Sequence, residues 1–157
     1  MRLLLIAITL TLTCSAASAE TIAGPASVID GDTIQVRGEV IRILDIDAPE
    51  KDQFCSQAEG DTTWRCGEQA AFALIDVIGT QLVTCETDKR DRYGAHLAGC
   101  MAGETNLGEW MAAEGWALPY RDCKCETIRA ASEYAEMNHL GLWVEAFTLP
   151  WEWREAN

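Results

Sequence analysis

The chain has 157 residues, and 25 aspartates and glutamates against 12 lysines and arginines give it a formal net charge of −13. This length suits one domain with a real core and is too short for two. The acidic balance argues against tight, processive binding to nucleic acid, which draws much of its strength from Lys and Arg neutralising phosphates. Catalysis on a phosphodiester is not excluded, because a local basic cleft or a bound cation can reverse the field near a site.

The first 19 residues form a pattern of their own. A positive start at Met1-Arg2 is followed by an apolar run over residues 3–12, and Ala17-Ser18-Ala19 supplies the small residues of a cleavage site. This pattern is typical of a secretory signal peptide, and the run is shorter than the ~20 apolar residues that span a bilayer. We therefore expect residues 1–19 to be removed and residues 20–157 to form a single domain. The mature protein would be secreted or periplasmic, without a membrane anchor.

Cleavage after Ala19 would remove Cys14 and leave an even set of six cysteines: Cys55, Cys66, Cys85, Cys100, Cys123 and Cys125. An even set in an oxidising compartment indicates disulfides, although about 15 connectivities are open. Cys55 and Cys66 flank one polar loop, while Cys85 and Cys100 end two apolar runs that could pair as strands. Cys123 and Cys125 would then pair in a small, strained ring. The alternative is that these last two bind zinc together with a histidine.

Taken in chain order, the pattern predicts three strands, a helix, two strands and two further helices. We expect the strands over residues 27–30, 34–37, 40–46, 81–86 and 96–101, and the helices over 67–78, 106–114 and 127–139. β-Branched residues favour the strands, and Gly79 and Gly141 are placed to end helices. The predicted fold is α+β with a mainly β core, a five-stranded barrel of the oligonucleotide-binding (OB) type with three packed α-helices.

The residues that carry chemistry are concentrated between positions 28 and 50. Asp30, Asp32, Asp47 and Glu50 place four carboxylates near one guanidinium, that of Arg42. Asp32 and Asp47 lie at the ends of different strands, so a barrel could bring them together as hard oxygen ligands for calcium or magnesium. Glu50 is placed to orient or deprotonate a metal-bound water. Arg42 has the fork geometry that matches a phosphate.

Each piece alone has an ordinary interpretation as a turn or a helix start, but the ordered combination is specific. It runs Asp30-Gly31-Asp32-Thr33, then Arg42 nine residues after the threonine, then Asp47-Ala48-Pro49-Glu50. Further elements are Asp91-Arg92-Tyr93-Gly94, Gly115-Trp116-Ala117, and Gly141-Leu142-Trp143 with Phe147, Pro150, Trp153 and Arg154. Over essentially the whole of residues 20–157 the chain resembles the staphylococcal nuclease (thermonuclease) family.

The resemblance implies a calcium-dependent nuclease that hydrolyses DNA or RNA phosphodiester bonds and leaves a 3′-phosphate. Magnesium is the less favoured metal. The expected substrate is single-stranded or unwound nucleic acid, and we expect a monomer.

The resemblance also implies a role for each matching residue. Asp32, Asp47 and the Ala48 carbonyl would bind the metal directly, while Asp30 and Glu50 would act through metal-bound waters. Glu50 is the implied general base, and Arg42 the group that binds the scissile phosphate. The implied nucleotide-contacting residues are Arg92, Tyr93 and Tyr120.

One departure from the family pattern bears on activity. The family motif continues Asp-x-Tyr-Gly-Arg, whereas this chain has Ala95 at the arginine position. Loss of one charge-assisted donor to the reacting phosphate costs on the order of 3 kcal/mol. Arg90 or Arg92 could reach in from the turn, and strand alternation points His96 to the opposite face. The alternative function is therefore a catalytically degenerate domain that binds metal, nucleotide or a protein partner.

Overall fold

The computed structural model describes residues 19–56, 63–121 and 123–157. Apart from Ala19, the predicted signal peptide lies outside the described residues. Among the helices of the described ranges, none has both the length and the apolar character needed to cross a bilayer.

The β structure is built from short strands. They are β1 (Glu20–Gly24), β2 (Ala26–Val28), β3 (Thr33–Val36), β4 (Glu39–Ile43), β5 (Ile46–Asp47), β6 (Cys55–Ser56), β7 (Thr63–Trp64), β8 (Val83–Arg90), β9 (His96–Ala102), β10 (Thr105–Asn106) and β11 (Leu118–Pro119). The main sheet has the order β1-β8-β9-β4-β3-β2, with β10 paired to β9. Its neighbours are antiparallel except β4 and β9, which run parallel. The sheet curls, because β1 also contacts β3, from which three strands separate it.

The strand predicted over residues 40–46 is interrupted. Asp45 adopts a left-handed conformation, with φ of 67°, between the end of β4 and the start of β5. The turn separates β5 from the main sheet, so that β5 pairs with β11 instead. This break has a consequence for the site, because it directs Asp47 away from the β4 ladder.

The helices are α1 (Cys66–Ile78), α2 (Leu107–Ala113), α3 (Glu126–Met137) and α4 (Pro150–Ala156), with a 3-10 helix over Gly141–Val144. The first three match the predicted helices to within two residues. The sequence analysis missed α4, because seven residues are too few for a helical periodicity to stand out. It also missed β1, a five-residue strand whose pairing with β8 is non-local.

The core lies inside the curl of the sheet. Ile34, Ile41 and Val83 from the strands are fully buried with Leu74 of α1 and Met111 of α2. The predicted class, α+β with a mainly β core of the OB type, is confirmed. The observed fold differs from the predicted one in having a curled sheet with additional short strands and a fourth helix.

Three disulfides join the six cysteines: Cys55–Cys66, Cys85–Cys100 and Cys123–Cys125. Cys85 and Cys100 face each other directly across β8 and β9. The third bridge uses both of the sulfurs that the alternative zinc site required. The pairing therefore follows the three pairs considered from the sequence.

Replacing Cys85 and Cys100 together by alanine is expected to lower the free energy of unfolding by about 3 kcal/mol. The reason is that this bridge spans a sequence separation of 15 and restricts the unfolded chain accordingly. The Cys123–Cys125 bridge spans a separation of 2, so removing it in the same way should cost much less. Denaturant unfolding of both variants beside the oxidised wild type measures the difference. Equal losses would contradict this reasoning.

Candidate active site

Four carboxylates and two guanidinium groups meet where the turn after β2 approaches the loop after β5. Asp30 and Asp32 lie in the turn between β2 and β3, and Arg42 lies on β4. Asp47 ends β5, and Glu50 follows it in the loop that leads toward β6. The second guanidinium comes from α4.

Asp32 is fixed by its neighbours on two sides. The Thr33 hydroxyl donates a hydrogen bond to Asp32 Oδ1 over 2.7 Å, and the Ala48 N–H donates to Asp32 Oδ2 over 3.2 Å. Gly31 makes this approach possible, because a Cβ there would lie 2.7 Å from Ala48 Cβ and 2.8 Å from Ala70 Cβ. The turn that carries Asp32 is therefore pressed against both α1 and the loop that carries Asp47.

The first turn of α1 fixes the other half of the site. A Cβ on Gly67 would collide with the backbone carbonyl of Glu50, so the helix can start in this position only with glycine there. The Glu50 carbonyl accepts a hydrogen bond from Gln53 N–H over 2.8 Å, and the Gln53 carbonyl accepts one from Gly67 N–H over 3.3 Å. These contacts hold the backbone of Glu50 against α1.

Arg42 bridges the two buried aspartates. Its Nη2 lies 3.2 Å from Asp32 Oδ2 and 3.3 Å from Asp47 Oδ1. Asp32 is 3% exposed and Asp47 is fully buried, so both need a positive partner. Burial alone lowers the pKa of Arg42, but the charges of Asp32 and Asp47 outweigh it, and the pKa is raised. Arg42 is thus a permanent cation.

Arg154 of α4 is the second guanidinium. Its Nη1 and Nη2 form a fork on Asp47, at 2.9 Å from Oδ1 and 2.7 Å from Oδ2, and Nη1 also lies 2.7 Å from Glu50 Oε1. The hydrogen bond to Asp47, assisted by that to Glu50, raises the pKa of Arg154 against the opposing effect of burial. The sequence analysis recorded this arginine as part of the family pattern and assigned it no role. Its partner is 107 residues away, and nothing local signals the contact.

Among the described residues, no arginine forms an ion pair with Asp30, in contrast to the other three carboxylates of the site. Its Oδ1 accepts a hydrogen bond from the Asp32 N–H over 3.1 Å. Burial, followed by the negative charge of Asp32, raises the pKa of Asp30 from 3.8 to about 7. A cation bound between the two would remove this penalty, so Asp30 is poised for one.

The proposed nucleotide-contacting residues share one cleft with Arg42. The cleft has a volume of about 450 Å³, and its lining includes Arg42, Arg92, Tyr93 and Tyr120. The Arg92 guanidinium lies over the Tyr93 ring at 4.9 Å from its centre. Tyr93 is 79% exposed and Tyr120 is 49% exposed, so both rings are available to stack on a base. The structure thus brings together the four residues that the sequence could only name separately.

Neither Arg90 nor His96 compensates for Ala95. Arg90 donates to the Gly94 carbonyl over 2.7 Å and lies 3.4 Å from Glu39 Oε2. His96 is buried, with Nε2 at 3.1 Å from the same carboxylate. Hydrogen bonds from His96 and then Arg90 lower the pKa of Glu39. His96 therefore faces away from the cleft, as strand alternation predicts, and Arg90 is held with it.

The donor chemistry fits a hard divalent cation. In the described ranges no group of three or more His, Cys, Asp or Glu side chains is arranged as a ready-made metal site. Asp32 and Asp47 nevertheless converge on one cationic nitrogen of Arg42, and Asp47 and Glu50 converge on Arg154. Carboxylate oxygens are the ligands that calcium takes in proteins. In this structure guanidinium groups hold together the oxygens that would bind the ion.

Comparison with known proteins identifies the family. The sequence model of the family described as "Staphylococcal nuclease homologue" matches residues 40–145. Asp30, Asp32 and Arg154 lie outside that span, whereas Arg42, Asp47 and Glu50 lie within it.

Several curated proteins are similar over most of the chain. The succinoglycan biosynthesis protein ExoI of Rhizobium meliloti (strain 1021) is 37% identical over 137 residues, 85% of this chain and 71% of that protein. An uncharacterized endonuclease of Escherichia coli O157:H7 is 30% identical over 134 residues, 81% of this chain and 80% of its own. Protein ParB of Escherichia coli is 30% identical over 148 residues, 83% of this chain and 77% of its own. The chain belongs to the staphylococcal nuclease homologue family.

Proposed function

We propose that the protein is a secreted or periplasmic, calcium-dependent nuclease that hydrolyses phosphodiester bonds in single-stranded or unwound DNA or RNA. The observation that carries the proposal is a cluster in which Arg42 contacts Asp32 and Asp47, and Arg154 joins Asp47 to Glu50. Arg42 also lines a cleft with exposed tyrosines. Family membership and the endonuclease names of relatives support the reaction class. Metal dependence rests on the carboxylate cluster.

The side chains divide the reaction among them. Asp32, Asp47 and the Ala48 carbonyl would hold the cation, which supplies positive charge to the phosphate and lowers the pKa of a water. Glu50, whose side chain is 29% exposed, accepts the proton of the attacking water. The water oxygen bonds to phosphorus as the bond to the 5′-oxygen breaks, leaving a 3′-phosphate and a 5′-hydroxyl. Arg42 stabilises the negative charge that develops on the phosphate oxygens.

Exposed rings in the cleft supply binding without requiring a basic surface. Tyr93 and Tyr120 can stack on bases in a single strand, where such stacking is worth about 1–3 kcal/mol per base. Arg92 contributes a local positive charge beside them. The chain can therefore hold a short stretch of substrate despite its net charge of −13.

Ala95 favours a second candidate, a degenerate domain that binds the cation or a nucleotide without cutting. The two candidates share the carboxylate cluster and the cleft, and they differ only in turnover. An activity assay with a matched binding measurement separates them.

In the presence of calcium, the mature, oxidised protein is expected to cleave single-stranded DNA, and a chelator should abolish the cleavage. Glu50→Gln should lower kcat by about 10²–10⁴-fold, because it removes the proton acceptor. Glu104→Gln is the matched control, since Glu104 is exposed in the turn between β9 and β10. Calorimetric calcium binding by a wild type that does not cut would instead establish the degenerate domain. Absence of both cutting and calcium binding would contradict both candidates.

Asp30→Asn is expected to stabilise the cation-free protein at neutral pH. The Asp30 carboxyl has a pKa of about 7 in the folded protein against an ordinary 3.8. It therefore does not lower the free energy of unfolding when the pH is below both pKa values. The cost then grows as pH rises through this interval and is complete above about 7. Because Asp30 is partly accessible to solvent, we expect a gain of about 1–2 kcal/mol at pH 8, less than the full shift implies.

Urea unfolding with a chelator at pH 5 and pH 8 measures this gain, which should be smaller at pH 5. With calcium the sign should change, because the variant loses an acidic group near the ion. An equal effect at the two pH values would show that the charge of Asp30 does not govern it.

Expression of the full chain in a Gram-negative bacterium tests the proposed location. The protein recovered from the periplasm or medium is expected to begin at Glu20, because Ala17 and Ala19 provide the small residues that signal peptidase requires. Ala19→Arg should block processing. N-terminal sequencing distinguishes the outcomes, and an intact Met1 on soluble wild-type protein in the cytoplasm would contradict secretion.

A further inference from the structure

We infer that Arg154 supplies the second guanidinium that binds the scissile phosphate, in place of the arginine absent at position 95. The inference rests on the proposed nuclease function and assigns a further catalytic residue to it. It identifies the group that allows a chain with Ala95 to retain turnover. Neither the family span, which ends at residue 145, nor the turn between β8 and β9 that carries Ala95 contains this group.

Arg154 lies next to Arg42 in the site. Arg154 Nη1 and Arg42 Nη2 both contact Asp47 Oδ1, at 2.9 Å and 3.3 Å. The two guanidinium groups therefore meet at one carboxylate oxygen, although they come from opposite ends of the chain. A phosphate bound at Arg42 lies within reach of a side chain that already shares an oxygen with it.

The side chains of Arg42 and Arg154 are both accessible to solvent. The side chains of Arg42 and Arg154 are 28% and 31% exposed, while that of Asp47 is fully buried. Each arginine side chain thus combines a buried carboxylate partner with a part that faces solvent. This is the arrangement expected of a group that is held in place by one anion and presented to another.

Several contacts hold the C-terminal segment that carries Arg154 in place. Gln53, which is fully buried, donates its side-chain N–H to the Thr148 carbonyl over 2.8 Å. Arg121 pairs with Glu155 at 2.9 Å and lies over the Trp151 ring at 5.4 Å from its centre. α4 is therefore held on both sides of the site, so its arginine is positioned before substrate arrives.

Within the described part of the chain, Arg42 and Arg154 are the arginines that contact the clustered carboxylates. Arg90 is held by Gly94 and Glu39 on the other face. Arg92 lines the cleft with Arg42, but its guanidinium lies over the Tyr93 ring.

The fork on Asp47 has a consequence for cation binding. Asp47 would hold a divalent cation through the same two oxygens that accept hydrogen bonds from Arg154. The Arg154 N–H groups would then be available to a phosphate oxygen. Removing Arg154 should accordingly tighten calcium binding while it slows cleavage.

The test compares the wild type with Arg154→Ala, Arg154→Lys and Glu152→Ala in calcium, using single-stranded DNA. Arg154→Ala should lower kcat by about 10²–10³-fold, the loss typical of removing one donor to a developing oxyanion. Lysine should restore part of it, because it keeps the charge without the fork. Glu152→Ala removes an exposed acidic side chain from the same helix and should leave kcat unchanged. Adding Ala95→Arg to Arg154→Ala should recover at least tenfold.

A binding measurement separates contact with phosphate from a structural role. In a Glu50→Gln background, an oligonucleotide with one neutral methylphosphonate linkage is compared with the all-phosphate oligonucleotide. The affinity lost on neutralising the phosphate should be several-fold smaller when Arg154 is alanine. Calorimetry should show unweakened calcium binding by Arg154→Ala, and thermal unfolding confirms that the variant is folded.

The outcomes separate the assignment of Arg154 from the nuclease function on which it rests. A wild type that cuts beside an equally active Arg154→Ala variant would overturn the assignment of Arg154 and leave the nuclease standing. An equal affinity loss on neutralising the phosphate in both backgrounds would overturn it as well, and would make Arg154 a support for Asp47 and Glu50. A wild type that never cuts would overturn the nuclease and this inference together.

Discussion

The structure depends on the satisfaction of one buried charge, the carboxylate of Asp47. A fully buried aspartate is costly unless it is paired and hydrogen-bonded, and here Arg42 and Arg154 provide the pairing. The surrounding elements bury Asp47 and bring its partners to it. The turn at Asp45 breaks a strand so that Asp47 points inward, β11 covers it, and the C-terminal segment folds back across the loop to deliver Arg154. Removing one partner would leave charge uncompensated in the interior.

The same ion network joins distant parts of the chain. Asp32 comes from the first hairpin, Arg42 from the middle of the sheet and Arg154 from the last helix. Around them, small residues let backbones approach where side chains would collide, as Gly31 does against Ala48. The consequence is an acidic site whose carboxylates are joined by arginines. The divalent cation that we propose would meet oxygens that these contacts already order.

A strongly acidic protein can still bind an anionic substrate when positive charge is concentrated at the site. The field that matters to a reacting phosphate is local. Arg42 and Arg92 line the cleft, and Arg154 shares the Asp47 carboxylate with Arg42. Base stacking on Tyr93 and Tyr120 adds affinity that does not depend on net charge. The acidic exterior then limits long-range attraction and nonspecific retention of nucleic acid.

The sequence by itself determined the class of fold, three of the helices, the pairing preferences of the cysteines and the identity of the carboxylates. These are local signals: periodicity, turn residues, and a motif contained within 21 residues from Asp30 to Glu50. It could not determine α4, whose seven residues are too short for periodicity, nor β1, whose pairing with β8 is non-local. It also gave Arg154 no partner. Arg154 reaches Asp47 across 107 residues, and only the folding of the C-terminal segment over the curled sheet decides that contact, because no local pattern encodes the distance between two side chains so far apart in sequence.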